Sequence, residues 1–390
     1  MKGYGIMYNI KTLNKIAACG TDLFDRSKYS VADDIEAPDA VLVRSASMHD
    51  MEFKDNLLAI ARAGAGVNNI PVADCAEKGI CVFNTPGANA NAVKELAVLG
   101  LLLASRKVSE AIDWAKGLKG KGDEVGKLVE KGKSQFAGPE ILGKTLGLVG
   151  LGAIGGKLAN IAVSLGMNVI GYDPFLSVTA ALHLKPQVEV VSDVSEVYKN
   201  SDYISLHLPF NAETKGSVNA EVFEQMKDGA RLLNFARGEL VDTASLISAL
   251  ESGKVAAYVT DFPNDDVIGL PGVVAIPHLG ASTPESEDNC AIMAAKEIID
   301  YIENGNIVNS VNYPNVELKK TGDVMICIMH KNVPEFISKI TSVIGKGGAN
   351  IENFVHKSKG EYAYSMIDIT GSVDVEAIKA VDDVIRVRAL

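Results

Sequence analysis

Two hydrophobic rhythms alternate along the chain. Short apolar runs, the length of a strand buried on both faces, are separated by stretches in which apolar positions recur every three or four residues, as on a helix packed on one side. Ala40-Val-Leu-Val and Ile80-Cys-Val-Phe read as strands, with a helix expected near Leu57 to Ala63. Ala61-Arg-Ala-Gly-Ala-Gly-Val-Asn-Asn reads as a small-residue loop closing one strand; its exposed N–H groups suit a carboxylate, and a plain tight turn is the alternative. From Asn89 to Ser105 runs a helix apolar on almost every face, as one lodged between domains or subunits would be. Lys116 to Gly138, rich in lysine and glycine, has little periodicity and reads as a surface linker, with a solvated charged helix as the alternative.

The alternation then becomes regular. Thr145 to Val149 is a strand, a glycine turn follows, and Ile154, Leu158, Ile161 and Leu165 mark a helix that Gly166 stops before the strand Val169 to Tyr172. Further strands are expected at Val188 to Val191, Tyr203 to Leu208, Ala230 to Asn234, Ala256 to Thr260 and Val273 to Ile276, with helices such as Thr243 to Ser252 between them. This predicts a doubly wound parallel sheet of about six strands. The helix Pro284 to Asn304 leaves that sheet and could carry the chain back to the first domain. The C-terminal residues change character: Val324-Met-Ile-Cys-Ile-Met, an amphipathic helix Pro334 to Ile344, a glycine turn, two strands, a helix and Val384-Ile-Arg-Val-Arg give the β-α-β-β-α-β order of a ferredoxin-like module.

At 390 residues the chain exceeds a single core and implies two or three domains. Its 38 basic against 49 acidic residues argue against nucleic acid or an anionic membrane as the main partner, so any anion must be met by local basic residues. Cys19, Cys75, Cys81, Cys290 and Cys327 are scattered without a C-x-x-C pair, a reduced pattern that predicts neither a disulfide framework nor a metal site. With no signal-peptide core and no membrane-length apolar run, a soluble cytoplasmic protein is expected.

The glycine turn carries the first chemistry. Gly150, Gly152 and Gly155 have the G-x-G-x-x-G spacing between strand and helix, with Ala153 and Ile154 between them, and Asp173 closes the second strand. Glycines let backbone N–H groups approach a pyrophosphate at the positive helix end. An acid after the second strand takes two ribose hydroxyls and repels a 2′-phosphate, so NAD is expected over NADP. A dehydrogenase acting on an alcohol also needs a base and an orienting cation. Turns after strands supply Arg237 in Asn234-Phe-Ala-Arg-Gly, Asp261, Asp265 and Asp266 in Thr260-Asp-Phe-Pro-Asn-Asp-Asp, and His278 in Pro277-His-Leu-Gly. His207, in Leu-His-Leu-Pro, reads as a turn or cofactor-lining residue rather than the base.

Val43-Arg-Ser-Ala-Ser, Arg62-Ala-Gly-Ala-Gly-Val-Asn, Asn84-Thr-Pro-Gly, the glycine fingerprint, His207-Leu-Pro, Asn234-Phe-Ala-Arg-Gly-Glu-Leu-Val-Asp, Pro277-His-Leu-Gly-Ala-Ser-Thr and His330-Lys-Asn-Val-Pro together span nearly the whole chain. As a set they resemble the D-isomer-specific 2-hydroxyacid dehydrogenases that carry a C-terminal ACT domain. The resemblance implies a Rossmann-type sheet (92–283) inserted in a flavodoxin-like substrate domain (1–91 and 284–315), followed by a ferredoxin-like ACT regulatory domain (320–390), with the active site in the cleft. It implies NAD-dependent oxidation of 3-phosphoglycerate to 3-phosphohydroxypyruvate, the first step of serine biosynthesis. His278 would be the acid/base, and Arg237 would clamp the substrate carboxylate and carbonyl. Arg44 and Arg62 would meet the phosphate, Ser45 would also contact the substrate, and Ala65, Gly66, Val67 and Asn68 would hold the carboxylate. Pro209, Phe235, Ala236, Asp261 and Gly280 would line the cofactor beside His207. No metal is implied, and a homodimer or homotetramer is expected.

Two departures qualify the likeness. The family's partner for the histidine is usually a glutamate, whose place falls to Asp266 without gaps or to Asp265 if the Phe-Pro pair is aligned. His330, Asn332 and Asn350 match positions that hold L-serine as an effector, yet the glycine that usually follows the proline is Glu335. The rival readings are a hydroxypyruvate, glyoxylate or other D-2-hydroxyacid reductase and, from another class, a non-catalytic NAD-sensing or amino-acid-binding regulator.

Overall fold

The computed structural model describes residues 7–390, and the chain forms two compact units: residues 7–89 with Pro284–Leu390, and Ala90–Thr283. In the first, β1 (Tyr8–Leu13), the short helix α1 (Ala18–Thr21), β2 (Tyr29–Ala32), β3 (Ala40–Val43), β4 (Ala59–Arg62), α2 (Val72–Glu77) and β5 (Cys81–Asn84) build a parallel sheet of order β2-β1-β3-β4-β5. Ala59–Arg62 corrects the helix expected near Leu57 to Ala63. Its first three residues are fully buried between β3 and β5, and so short an apolar run cannot fill the turns of a helix but suits a central parallel strand.

The second unit starts with α3 (Ala90–Ser105), α4 (Val108–Lys116) and α5 (Val125–Gly132). Lys116 to Gly138 is therefore largely helical rather than a linker, and it is fastened by one aromatic contact. Trp114 packs on Phe136 with ring centroids 5.5 Å apart and also covers Gly132, where a Cβ would lie 2.4 Å from the indole. Then follow β6 (Thr145–Val149), α6 (Gly155–Ser164), β7 (Asn168–Tyr172), α7 (Val178–Leu182), β8 (Val188–Val191), α8 (Val194–Asn200), β9 (Tyr203–Leu206), α9 (Ala220–Gln225), β10 (Ala230–Asn234), α10 (Thr243–Glu251), β11 (Val255–Thr260) and β12 (Val273–Ala275). The sheet is doubly wound, all parallel and seven-stranded, with order β12-β11-β10-β9-β6-β7-β8. Separate apolar cores cover its two faces, one of them centred on α3, α6 and β6.

The chain returns to the first unit through α11 (Pro284–Asn304), whose Ala294, Ala295, Ile298 and Tyr301 are buried against the first sheet. β13 (Val324–Lys331), α12 (Phe336–Lys346), β14 (Asn350–Lys359), β15 (Tyr362–Thr370), α13 (Val375–Lys379) and β16 (Val384–Ala389) form the ferredoxin-like module, an antiparallel sheet of order β14-β15-β13-β16. Alternation along β13 and β15 divides the labour. Ile326, Ile328, Ile367 and Ile369 face α12 and α13, while Met325, Cys327, Met329, Tyr364 and Met366 join Phe83, Ile298 and Tyr301 in one continuous core. Two arginines of β16 clasp that junction. Arg386 donates to the carbonyls of Leu57, Asp55 and Lys78, and Arg388 to those of Tyr301 and Ile302. No helix among the described residues is long and apolar enough to cross a membrane.

Candidate active site

The glycine loop sits where β6 feeds α6. Gly150 has φ +101°, and a Cβ there would lie 2.5 Å from the carbonyl oxygen of His207; at Gly155 it would lie 2.0 Å from that of Gly150. Those two glycines are required by the fold itself. At Gly152 a Cβ would meet nothing within 4 Å, so its missing side chain leaves open space above the loop. Asp173, at the end of β7, accepts the N–H of Leu151 in that loop through Oδ2 and the N–H of Phe175 through Oδ1, both at 2.9 Å, which fixes the carboxylate beside the turn. The cradle a Cβ would fill, the free helix N-terminus and the anchored acid fit a dinucleotide. His207, partly buried and paired with Ser205 at 3.0 Å, is pushed down to about 4 by burial, so it is neutral at physiological pH.

Three turns at the carboxyl ends of β10, β11 and β12 gather the polar chemistry. After β10, Asn234 donates to the carbonyl of Arg237 at 2.8 Å and accepts from the N–H of Ala236 at 3.2 Å, shaping the turn that presents the guanidinium. After β11, Asp261 is buried; its Oδ2 accepts the N–H of Gly280 at 3.0 Å, and its Oδ1 has no partner among the described residues. Burial raises the Asp261 carboxyl, while that N–H, the nearby His278 and Arg237 oppose the rise. A buried acceptor left over in a cofactor-type turn is a place for a ligand's donor. After β12, the exposed His278 carries its imidazole 4.5 Å from the ring of Phe262, and Arg237 lies 5.7 Å from the same ring. Asp265 and Asp266 are exposed, and neither bonds His278 among the described residues.

In the first unit, β3 and β4 are parallel neighbours with Val43 opposite Arg62, so Arg44, Ser45 and Arg62 emerge at adjacent strand ends. Arg62 Nε donates to the carbonyl of Arg44 at 3.0 Å, and Arg44 pairs with Glu287 at 2.7 Å. Asn14 holds the N–H groups of Ser45 and Ala46, and Asn84 donates to the carbonyl of Ala65 at 2.6 Å, which fastens the loop 64–68.

Residues 99–280 match the family model of the D-isomer specific 2-hydroxyacid dehydrogenase, NAD binding domain. The chain is 34% identical over 352 residues to the D-3-phosphoglycerate dehydrogenase of Escherichia coli K12, covering 86% of this chain and 82% of that one. It belongs to the D-isomer specific 2-hydroxyacid dehydrogenases. Within that family it is 33% identical to the D-3-phosphoglycerate dehydrogenase of Methanocaldococcus jannaschii over 88% of its own length, and it spans 64% of that relative. It spans 59% of the relative from Archaeoglobus fulgidus. Among solved structures of the family, an NAD+-bound 3-phosphoglycerate dehydrogenase from Entamoeba histolytica aligns with TM-score 0.58 and 26% identity, over 80% of this chain and all of that one. A glyoxylate reductase from Paecilomyes thermophila aligns with TM-score 0.65 and 25% identity, over 78% and 98%.

Against the family's pattern, the residue that sequence reasoning missed is Phe262. Its contact with His278 joins turns 16 positions apart in the chain, and no spacing rule reports such a contact. In the C-terminal module, His330 is buried, with Nδ1 bonded to the carbonyl of Lys331 and Nε2 to Ser365. Its ring stacks on Phe336 at 3.6 Å. Asn332 and Asn350 are exposed, and Glu335 adopts φ +61°, the left-handed conformation that favours the glycine usual at that position in the family.

Proposed function

We propose that this dehydrogenase oxidises 3-phospho-D-glycerate to 3-phosphohydroxypyruvate with NAD, the entry step of L-serine synthesis, in the cytoplasm. The observation that carries this reading is the placement of Arg44 and Arg62 at neighbouring strand ends, linked through the Arg62 Nε bond to the Arg44 carbonyl. Two guanidiniums there suit a phosphate dianion better than an unphosphorylated hydroxy acid requires. The named relatives support the same substrate.

NAD, held by the 150–155 loop and Asp173, supplies the hydride acceptor when bound. His278 takes the C2 hydroxyl proton at an imidazole nitrogen as the alcohol is oxidised and returns it in reduction. Arg237 orients the carboxylate and carbonyl and offsets the charge that develops on oxygen. The N–H groups of 65–68 receive the carboxylate, with Ser45 as a further substrate contact.

The substrate domain is read as 1–91 with 284–315, the NAD domain as 92–283, and 320–390 as an ACT-type regulatory domain. Exposed Asn332 and Asn350 support an L-serine site on that module, with His330 acting as its buried prop. Leu99 and Leu102, nearly half exposed on the apolar helix α3, support a homodimer or homotetramer.

NADH oxidation measured with 3-phosphohydroxypyruvate beside hydroxypyruvate and glyoxylate, with and without L-serine, tests the reading. Preference for the phosphorylated acid sustains it. Preference for glyoxylate, the substrate of the solved reductase above, would overturn it.

A further inference from the structure

A histidine base must present one nitrogen in one direction, and a carboxylate on the other nitrogen is the common way to hold it. Here, among the described residues, no hydrogen bond reaches either ring nitrogen of His278. Asp265 and Asp266 are exposed on the loop after Phe262, and the bonded oxygen of Asp261 is taken by the N–H of Gly280. The imidazole instead lies against a benzene ring, Phe262, at 4.5 Å and 47°. The same ring carries the Arg237 guanidinium at 5.7 Å.

The backbone that bears the ring is well fastened. The N–H of Phe262 donates to Thr260 Oγ1 at 3.0 Å, Thr260 Oγ1 donates to the carbonyl of Asn234 at 2.9 Å, and Asn234 donates to the carbonyl of Arg237. A hydrogen-bonded chain thus ties the turn that bears the ring to the turn that bears the cation. The passage is close: a Cβ on Gly238 would lie 3.3 Å from that of Phe262. The charged groups around the imidazole are Arg237 after β10 and Asp261 on its own side of the ring, with Asp265 and Asp266 farther along the same loop.

We propose that Phe262 is the positioning residue of this active site: its ring orients both the His278 imidazole and the Arg237 guanidinium, in the place where a carboxylate would otherwise hold the histidine. Physically, an aromatic face attracts a cation through its quadrupole and stacks on a neutral imidazole, so it holds the base in both protonation states. A carboxylate, by contrast, would favour the imidazolium strongly.

The inference rests on the dehydrogenase reading, so wild-type turnover of 3-phosphohydroxypyruvate with NADH is measured first; its absence would sink that reading. Phe262→Leu is then expected to lower kcat/KM roughly 10-fold, because the imidazole and the guanidinium lose the face that holds them. NADH affinity, read by fluorescence, should stay at the wild-type value. Phe262→Tyr, which keeps the face, should restore kcat/KM. Should Leu lower the melting temperature, Phe262→Met, with similar volume and no π face, should show the same loss. Wild-type kcat/KM in both the Leu and Met variants would overturn the proposal. So would a comparable loss in Asp265→Asn or Asp266→Asn, which would restore the carboxylate as partner.

Discussion

Arg62, at the end of β4, donates its Nε–H to the carbonyl of Arg44, the residue just after β3, 3.0 Å away, so one arginine braces the backbone of the other. Arg44 meanwhile pairs with Glu287 at 2.7 Å, both side chains being more than two-fifths exposed. An exposed pair of this kind is worth roughly 0–1 kcal/mol, little enough for the substrate phosphate proposed at Arg44 to displace it.

Arg44→Met and Arg62→Met should therefore each raise KM for 3-phosphohydroxypyruvate by roughly 10- to 100-fold, the loss of one charge-assisted contact. KM for hydroxypyruvate should change little. Glu287→Gln should lower KM for the phosphorylated acid a few-fold. Equal losses on both acids in the arginine variants would place the phosphate elsewhere.

The glycine loop offers a cleaner separation of fold from function. Gly152→Ala adds a methyl to open space, so stability should stay within about 0.5 kcal/mol of wild type while NADH affinity falls at least ~10-fold. Gly155→Ala drives its methyl to 2.0 Å from the Gly150 carbonyl and should lower the melting temperature outright. Calorimetry with a fluorescence titration distinguishes the two; an unchanged NADH affinity in Gly152→Ala would remove the loop from the cofactor site.

What the sequence made legible follows the length of each signal. Thr145–Val149 and Ala230–Asn234 were readable because each holds a short apolar run bounded by turn residues, and the glycine fingerprint because its register is fixed by three positions. Ala59–Arg62 was misread because a buried strand and a fragment of buried helix look alike at that length. The helices through 116–136 were obscured because they depend on one long-range ring, Trp114 on Phe136, over a glycine whose role is to be absent. Phe262 and the shared core of Met329 and Tyr301 belong to the same class of contacts that only the folded chain creates.

The C-terminal module carries an acid-sensitive network with a single proton arrangement. The Lys331 carbonyl can only accept, so His330 Nδ1 bears the hydrogen. Its Nε2 then accepts from Ser365, whose oxygen accepts from His356 Nδ1 at 3.0 Å. Burial holds His330 down to about 4. The unfolded chain binds the proton first, so this stability is complete above about pH 6.5 and is lost as pH falls toward 4, by at most roughly 3 kcal/mol. His207 adds a similar slope in the other unit. Thermal melts from pH 7 to 4 should show the slope, and His330→Asn should be less stable at neutral pH but flatter in acid. A wild-type slope in that variant would clear His330 of the role.

Glu297 titrates with the opposite sign. It is buried in α11, with Oε1 accepting from Asn309 at 2.7 Å and Oε2 unpartnered among the described residues; burial pushes its carboxyl up to about 8. The folded chain holds this proton more tightly than the unfolded one, so the contribution is complete below about pH 4.5 and is lost as pH rises through 8, to a total of at most about 5 kcal/mol. Glu297→Gln keeps the acceptor for Asn309 and removes the charge. It should match wild type near pH 4.5 and exceed it by about 2–4 kcal/mol at pH 9. The effect should also reach function. The Asn309 carbonyl accepts the N–H of Asn84, and Asn84 in turn holds the Ala65 carbonyl of the loop proposed to receive the carboxylate. Ionising Glu297 disturbs the first link of that chain, so KM for 3-phosphohydroxypyruvate should climb above pH 8 in wild type and stay level in Glu297→Gln. Parallel stability curves for the two proteins would show that the carboxyl is already ionised at neutral pH.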